Sequence, residues 1–209
     1  MGSPRVTPKL AVLASGGGRS LENLVLEIKT GNLDAEVAQV CVSNSTCGAI
    51  ERANRLGIPC EIVSKKLFPE LQQRQQALLG ILQKAQCDLV VLAGWLSLFP
   101  LTEEWEGRVL NIHPALLPAY GGKGFWGHHV HDAVLRDKAP ISGCTVHFVN
   151  REYDMGATIL QEAVPVLPTD SSDDLADRVF EAEKRVLPEA IRLLLSGRVR
   201  YEENSSDWA

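Results

Sequence analysis

KLAVLASGGGRSLENLVLEIK, residues 9–29, decides how the chain begins to fold. Lys9–Ala14 is an apolar run with almost no polar alternation, the pattern of a strand covered on both faces. Ser15-Gly16-Gly17-Gly18 breaks it. Leu21, Leu24, Val25 and Ile28 then recur at helical spacing across Arg19–Lys29, and Gly31 stops the helix. A strand, a glycine-rich turn and a helix in this order present free backbone N–H groups to an anion. Gly16, Gly17 and Gly18 permit positive φ and the close approach of a phosphate. The bland alternative is a plain tight turn. A dinucleotide site fits poorly: G-x-G-x-x-G wants a third glycine where Leu21 stands, and the next strand ends in Val42-Ser43-Asn44 without an acid for ribose hydroxyls.

The alternation continues outward. Strands are expected at 37–42, 60–63 and 89–92, with helices at 47–56 and 67–86 between them. Short apolar strands separated by helices predict right-handed βαβ crossovers and a parallel sheet. A fifth strand is expected at 108–112, then a loop at 116–126, a helix at 128–135, a hairpin of strands 143–149 and 158–166, and a long amphipathic helix at 173–195. Ser171 and Ser172 can cap that helix, with Asp173 and Asp174 at its positive end. The fold class expected is α/β: a Rossmann-like, open, mostly parallel twisted sheet, helices on both faces, and an antiparallel C-terminal strand. Residues 1–8 are expected as a disordered lead-in, 9–200 as one domain and 201–209 as a frayed tail.

Composition narrows the function. The 209 residues carry 21 Lys+Arg against 26 Asp+Glu, a formal net charge of −5. Nucleic-acid backbones call for a basic stripe, so no nucleic-acid partner is expected. No run approaches the roughly 20 apolar residues that span a bilayer, and residues 1–8 lack a signal-peptide core. A cytoplasmic protein without a membrane partner is the expectation. The five cysteines are widely spaced and form no C-x-x-C, which argues for buried thiols rather than disulfides or zinc.

LNIHPALLP, residues 110–118, carries the chemistry. Asn111 and His113 lie two apart and so project to one face at a strand end, where open α/β sheets bind ligands. An amide donor beside an imidazole can hold a developing oxyanion and manage a proton. Alone, N-x-H reads as a capped turn with a hydrogen-bonded histidine. His128, His129 and His131 form a dense cluster without a fourth metal ligand at recognisable spacing. His147 alternates inward on its strand and reads as a core or supporting histidine.

LNIHPALLP also resembles the signature of the folate-dependent formyltransferases, above all those that act on glycinamide ribonucleotide. LASGGGRS before it, DLVVLAGW, and GCTVHFVNREYDMG after it match in order, from about Lys9 to Tyr201. The resemblance implies transfer of the formyl group of 10-formyltetrahydrofolate, as co-substrate, to the primary amine of glycinamide ribonucleotide in de novo purine synthesis. It implies a catalytic trio at Asn111, His113 and Asp154, with Asp154 raising the His113 pKa, and no metal. The ribonucleotide phosphate and ribose fall on Gly18, Arg19, Ser20 and Glu183. The folate falls on Arg74, Leu96, Ser97, Leu98, Phe99, Asn111, Asn150 and Asp154. His129 and His131 match a family H-x-H beside the substrates. Small-molecule substrates and a monomer or homodimer go with this reading. A formyltetrahydrofolate hydrolase and a formyltransferase acting on another amine, such as a sugar nucleotide, share the trio and stay open. A methionyl-tRNA formyltransferase would add a basic module, and Glu202-Glu203-Asn204 supplies none. From another class, a non-catalytic phosphate-binding module also stays open.

Overall fold

Burial follows the apolar runs. The computed structural model describes residues 7–202, in two compact units along the chain, Met1–Trp95 and Leu96–Ala209. The expected lead-in up to residue 6 and the tail from 203 lie outside the described residues.

The first unit holds strands β1 (Lys9–Ala14), β2 (Glu36–Val42), β3 (Cys60–Ile62) and β4 (Leu89–Ala93). Helices α1 (Arg19–Lys29), α2 (Gly48–Leu56) and α3 (Leu71–Lys84) alternate with them. Within it the strands lie in the order β3-β2-β1-β4, and every pairing is parallel. Leu10, Ala11, Val12 and Leu13 are consecutive and all fully buried, so both faces of β1 are covered. That is why these strands carry no polar alternation. α1 buries Leu21, Leu24 and Val25 on one stripe.

α3 departs from the expected 67–86: it begins at Leu71 and ends at Lys84. Leu67 and Phe68 instead donate their amides to the Ser64 carbonyl, closing a turn. Pro69 disfavours helical backbone at the residue before it, so the helix starts only after Glu70.

The second unit contains β5 (Val109–His113), α4 (His128–Arg136), β6 (Ile141–Phe148), β7 (Thr158–Pro165) and α5 (Ser172–Leu195). β6 pairs antiparallel with both β5 and β7. β6, the strand before the C-terminal one, is therefore antiparallel to both of its neighbours. A short 3-10 turn at Glu103–Trp105 was not legible in the sequence pattern. α5 packs on β6, β7 and α4. Its start is a capping box: the Asp174 amide donates to Ser171 Oγ, and the Ser171 amide donates to the Asp174 carboxylate. Tyr201 stacks edge-on against Phe148, with ring centroids 5.4 Å apart.

Candidate active site

Strand register assembles the polar cluster. The antiparallel pairing of β5 with β6 sets Asn111 directly across from His147, and His113 across from Thr145. Facing cross-strand residues bring their side chains within contact. Asn111 Nδ2 accordingly donates to His147 Nε2 at 3.0 Å. The same nitrogen donates to Asp154 Oδ1 at 3.1 Å. Asp154 comes from the loop between β6 and β7, where its φ is 58°. Its other oxygen accepts the Gly122 N–H at 2.9 Å and lies 3.6 Å from His113 Nδ1. Gly156 closes that loop: a Cβ there would fall 1.7 Å from the Phe148 carbonyl oxygen, so a side chain cannot be accommodated. Asn111, His113, His147 and Asp154 thus share one site, largely shielded from water.

Protonation follows from the partners. His147 Nδ1 lies 2.7 Å from the Phe148 carbonyl. Assigning the proton to Nδ1 leaves Nε2 to accept from Asn111. Both amide protons of Asn111 are then engaged, one by His147 and one by Asp154. His113 Nε2 donates to the Tyr120 carbonyl at 2.7 Å. Burial pushes the His113 pKa down, and the nearby Asp154 charge offsets this only in part. The sequence-based expectation of a raised His113 pKa is therefore corrected: with only 4% of the side chain exposed, desolvation outweighs the carboxylate. Burial alone would push the Asp154 carboxyl up, but the hydrogen bond that His147 offers when protonated, the charge His113 then carries and the Gly122 N–H outweigh it and hold it below the usual value.

In the first unit the glycine-rich turn opens α1. Gly18 caps the helix at φ 81° in the left-handed region, and a Cβ there would meet Ala49 Cβ at 2.8 Å. Arg19 is exposed and Ser20 half-buried. The turn has the strand-to-helix geometry expected of an anion cradle.

With this geometry in place, likeness to known proteins becomes informative. The formyl transferase family matches residues 8–191. The chain belongs to the formyl transferase family. It is 39% identical over 199 residues to the chloroplastic phosphoribosylglycinamide formyltransferase of Arabidopsis thaliana, covering 94% of this chain and 68% of that protein. It is 36% identical to the human trifunctional purine biosynthetic protein adenosine-3, across 94% of this chain and 19% of that protein. Among solved structures, glycinamide ribonucleotide transformylase 1 from Symbiobacterium toebii superposes with a TM-score of 0.87 at 36% identity, covering 94% of this chain and 92% of that one. The mostly parallel α/β fold, with antiparallel strands after it, is thus the fold of a formyl transferase.

The remaining expected residues of this formyl transferase divide by environment. Leu96 and Leu98 are exposed, at 46% and 41%, while Phe99 is buried edge-on against Trp105. Phe99 is therefore a core residue in position, which its alternation with the two leucines produces. Ser97 is half-buried. Asn150 accepts the Glu152 amide at 3.0 Å and shapes the loop that carries Asp154. Arg74 donates to the Phe68 carbonyl at 2.8 Å, stapling the turn before α3. Glu183 is half-buried on α5, near enough to Cys144 to raise that thiol further after burial has done most of it. His129 is exposed and edge-on to Trp126. His131 is buried, and among the described residues its Nδ1 has no hydrogen-bond partner. Among the described residues no group of three or more His, Cys, Asp or Glu is arranged to hold a metal ion, and no helix is long and apolar enough to cross a membrane.

One member of the cluster escaped sequence reasoning. The Gly122 amide has no side chain to read. His147 reads in the sequence as an inward-facing core or supporting histidine, and its register against Asn111 shows which amide it holds.

Proposed function

We propose that this chain transfers the formyl group of 10-formyltetrahydrofolate to the primary amine of glycinamide ribonucleotide, within de novo purine synthesis. The observation that carries the reading is the convergence of Asn111, His113, His147 and Asp154 in one shielded cluster. The amine attacks the formyl carbon, and negative charge builds on the formyl oxygen. Asn111 exchanges one of its two internal acceptors for that oxygen, giving a hydrogen bond that strengthens in the transition state. The attacking amine loses a proton, the folate N10 gains one, and the bond from the formyl carbon to N10 breaks. Asp154, ionised and beside His113 Nδ1, supports the imidazole in relaying that proton. His147 holds the Asn111 amide in its orientation.

The phosphate of the ribonucleotide is proposed on Gly18, Arg19 and Ser20, with Glu183 toward the ribose. The folate is proposed on Leu96, Ser97, Leu98 and the Asn150–Asp154 backbone, with Arg74 toward its glutamate tail. His129 and His131 are placed beside the substrates, and Phe99 supports the leucines from the core. Residues 9–200 work in this reading as one formyl-transfer domain, in a cytoplasmic monomer or homodimer that needs no metal.

The test follows the folate absorbance change with and without glycinamide ribonucleotide. Deformylation that requires the ribonucleotide is expected. Deformylation at the same rate in its absence identifies a hydrolase, and deformylation only with a sugar-nucleotide amine moves the acceptor.

A further inference from the structure

Arg52, on α2, lies outside every role assigned above. Its Nη1 donates to the Gly17 carbonyl of the glycine-rich turn. Its Nε donates to the Glu22 carboxylate on α1, whose other oxygen accepts from Arg55. The Arg52 and Glu22 side chains are 30% and 34% exposed, so the pair is partly shielded from solvent. The hydrogen bond from Arg52 is the largest influence on Glu22, and with both guanidinium charges nearby its carboxyl sits below its usual value despite the opposing effect of burial. Charge-assisted hydrogen bonds of this kind are among the stronger ones in proteins.

The preceding carbonyl of the turn is tied to the same helix. Gly16 O accepts the Ala49 N–H at 3.2 Å and faces Cys47 Sγ at 2.8 Å. In a trans peptide a carbonyl and the next residue's N–H point in opposite directions. Turning the carbonyls of Gly16 and Gly17 toward α2 therefore turns the amides of Gly17 and Gly18 away from it. Among the described residues those two amides have no hydrogen-bond partner. The space behind the turn is also filled by Arg52: a Cβ on Gly17 or on Gly48 would lie 3.7 Å from Nη1.

We propose that Arg52 is a positioning residue that, through Gly17 and Glu22, holds the glycine-rich turn with its amides aimed at the phosphate of the acceptor substrate. The proposal rests on the ribonucleotide reading above. Arg52 touches no reacting atom, so its loss acts on capture of the phosphate rather than on formyl transfer itself.

Steady-state kinetics of Arg52→Met, Arg52→Lys and wild type, at saturating 10-formyltetrahydrofolate, test it. Losing a charge-assisted hydrogen bond predicts a KM for glycinamide ribonucleotide raised about tenfold in Arg52→Met. The KM for the folate stays unchanged and kcat changes less than the ribonucleotide KM. Arg52→Lys recovers part of the loss, because an ammonium can reach one acceptor but not span both. In parallel, inorganic phosphate raises the melting temperature of wild type more than that of Arg52→Met. A folded Arg52→Met with wild-type ribonucleotide KM and wild-type phosphate response overturns the proposal. Should Arg52→Met not fold, Arg52→Lys and Glu22→Gln decide: a raised ribonucleotide KM in both supports the clamp, and unchanged values in both overturn it. Failure of wild type to use the ribonucleotide at all sinks the acceptor reading, while the phosphate titration still reports on Arg52.

Discussion

Asn111 has two amide protons and, in the free protein, two acceptors for them. In the proposed mechanism the formyl oxygen takes over one acceptor's place, so that the amide is held rigidly beforehand and no buried donor is left unpaired. Replacing Asn111 with Ala removes the proposed oxyanion donor and is expected to slow formyl transfer by about 10²–10³-fold, read as kcat/KM in initial-rate assays. A decline of less than about tenfold would remove Asn111 from the proposed chemistry. At this scale the motif singled out Asn111, His113 and Asp154, whose side chains the structure brings together. The sequence was silent where geometry alone assigns the partner. His147 is 36 positions from Asn111 along the chain, and nothing in its own neighbourhood predicts which residue it faces. The direction of the His113 pKa was also misjudged, because motif reading weighs the neighbouring charge but not the desolvation that burial imposes.

Elements were legible wherever apolar periodicity and local breakers agreed. β1 and α1 fall on the expected residues because their glycine punctuation is unambiguous. α3 did not, since residues 67–70 look helical by composition while Ser64 and Pro69 close a turn there. The antiparallel set delivers the site, and its loop is held by Gly156. Gly156→Ala forces the loop off the Phe148 carbonyl and is expected to cost about 2 kcal/mol or more of stability, measured by urea unfolding, with activity lost alongside as Asp154 shifts. An unfolding midpoint equal to wild type would show that the loop yields easily. At the start of α5, Ser171→Ala removes the side-chain half of the capping box. It is expected to lower stability by about 1 kcal/mol and to leave the formyl-transfer rate intact, by thermal melts and the same assay.

For the whole molecule, buried histidines tie stability to pH. Burial, helped by the neighbouring His128, pushes His131 from its ordinary 6.5 down to about 4. In the unfolded chain it binds a proton near pH 6.5, whereas the folded protein resists that proton until about pH 4. The unfolded state thus binds more protons in this window, and stability is lost as pH falls from 6.5 toward 4. His131 alone predicts a loss of about 3 kcal/mol across it, and His113 adds in the same direction. Denaturant unfolding at several pH values checks this, and His131→Gln should flatten the slope; an unchanged slope in that variant would assign the effect elsewhere. The most direct test of the account is single-turnover formyl transfer by Asp154→Asn against wild type, in samples matched by melting temperature. The account predicts a rate at least about 10²-fold lower, because an amide cannot carry the charge that supports the His113 proton relay. A near-wild-type rate in the matched variant would contradict it.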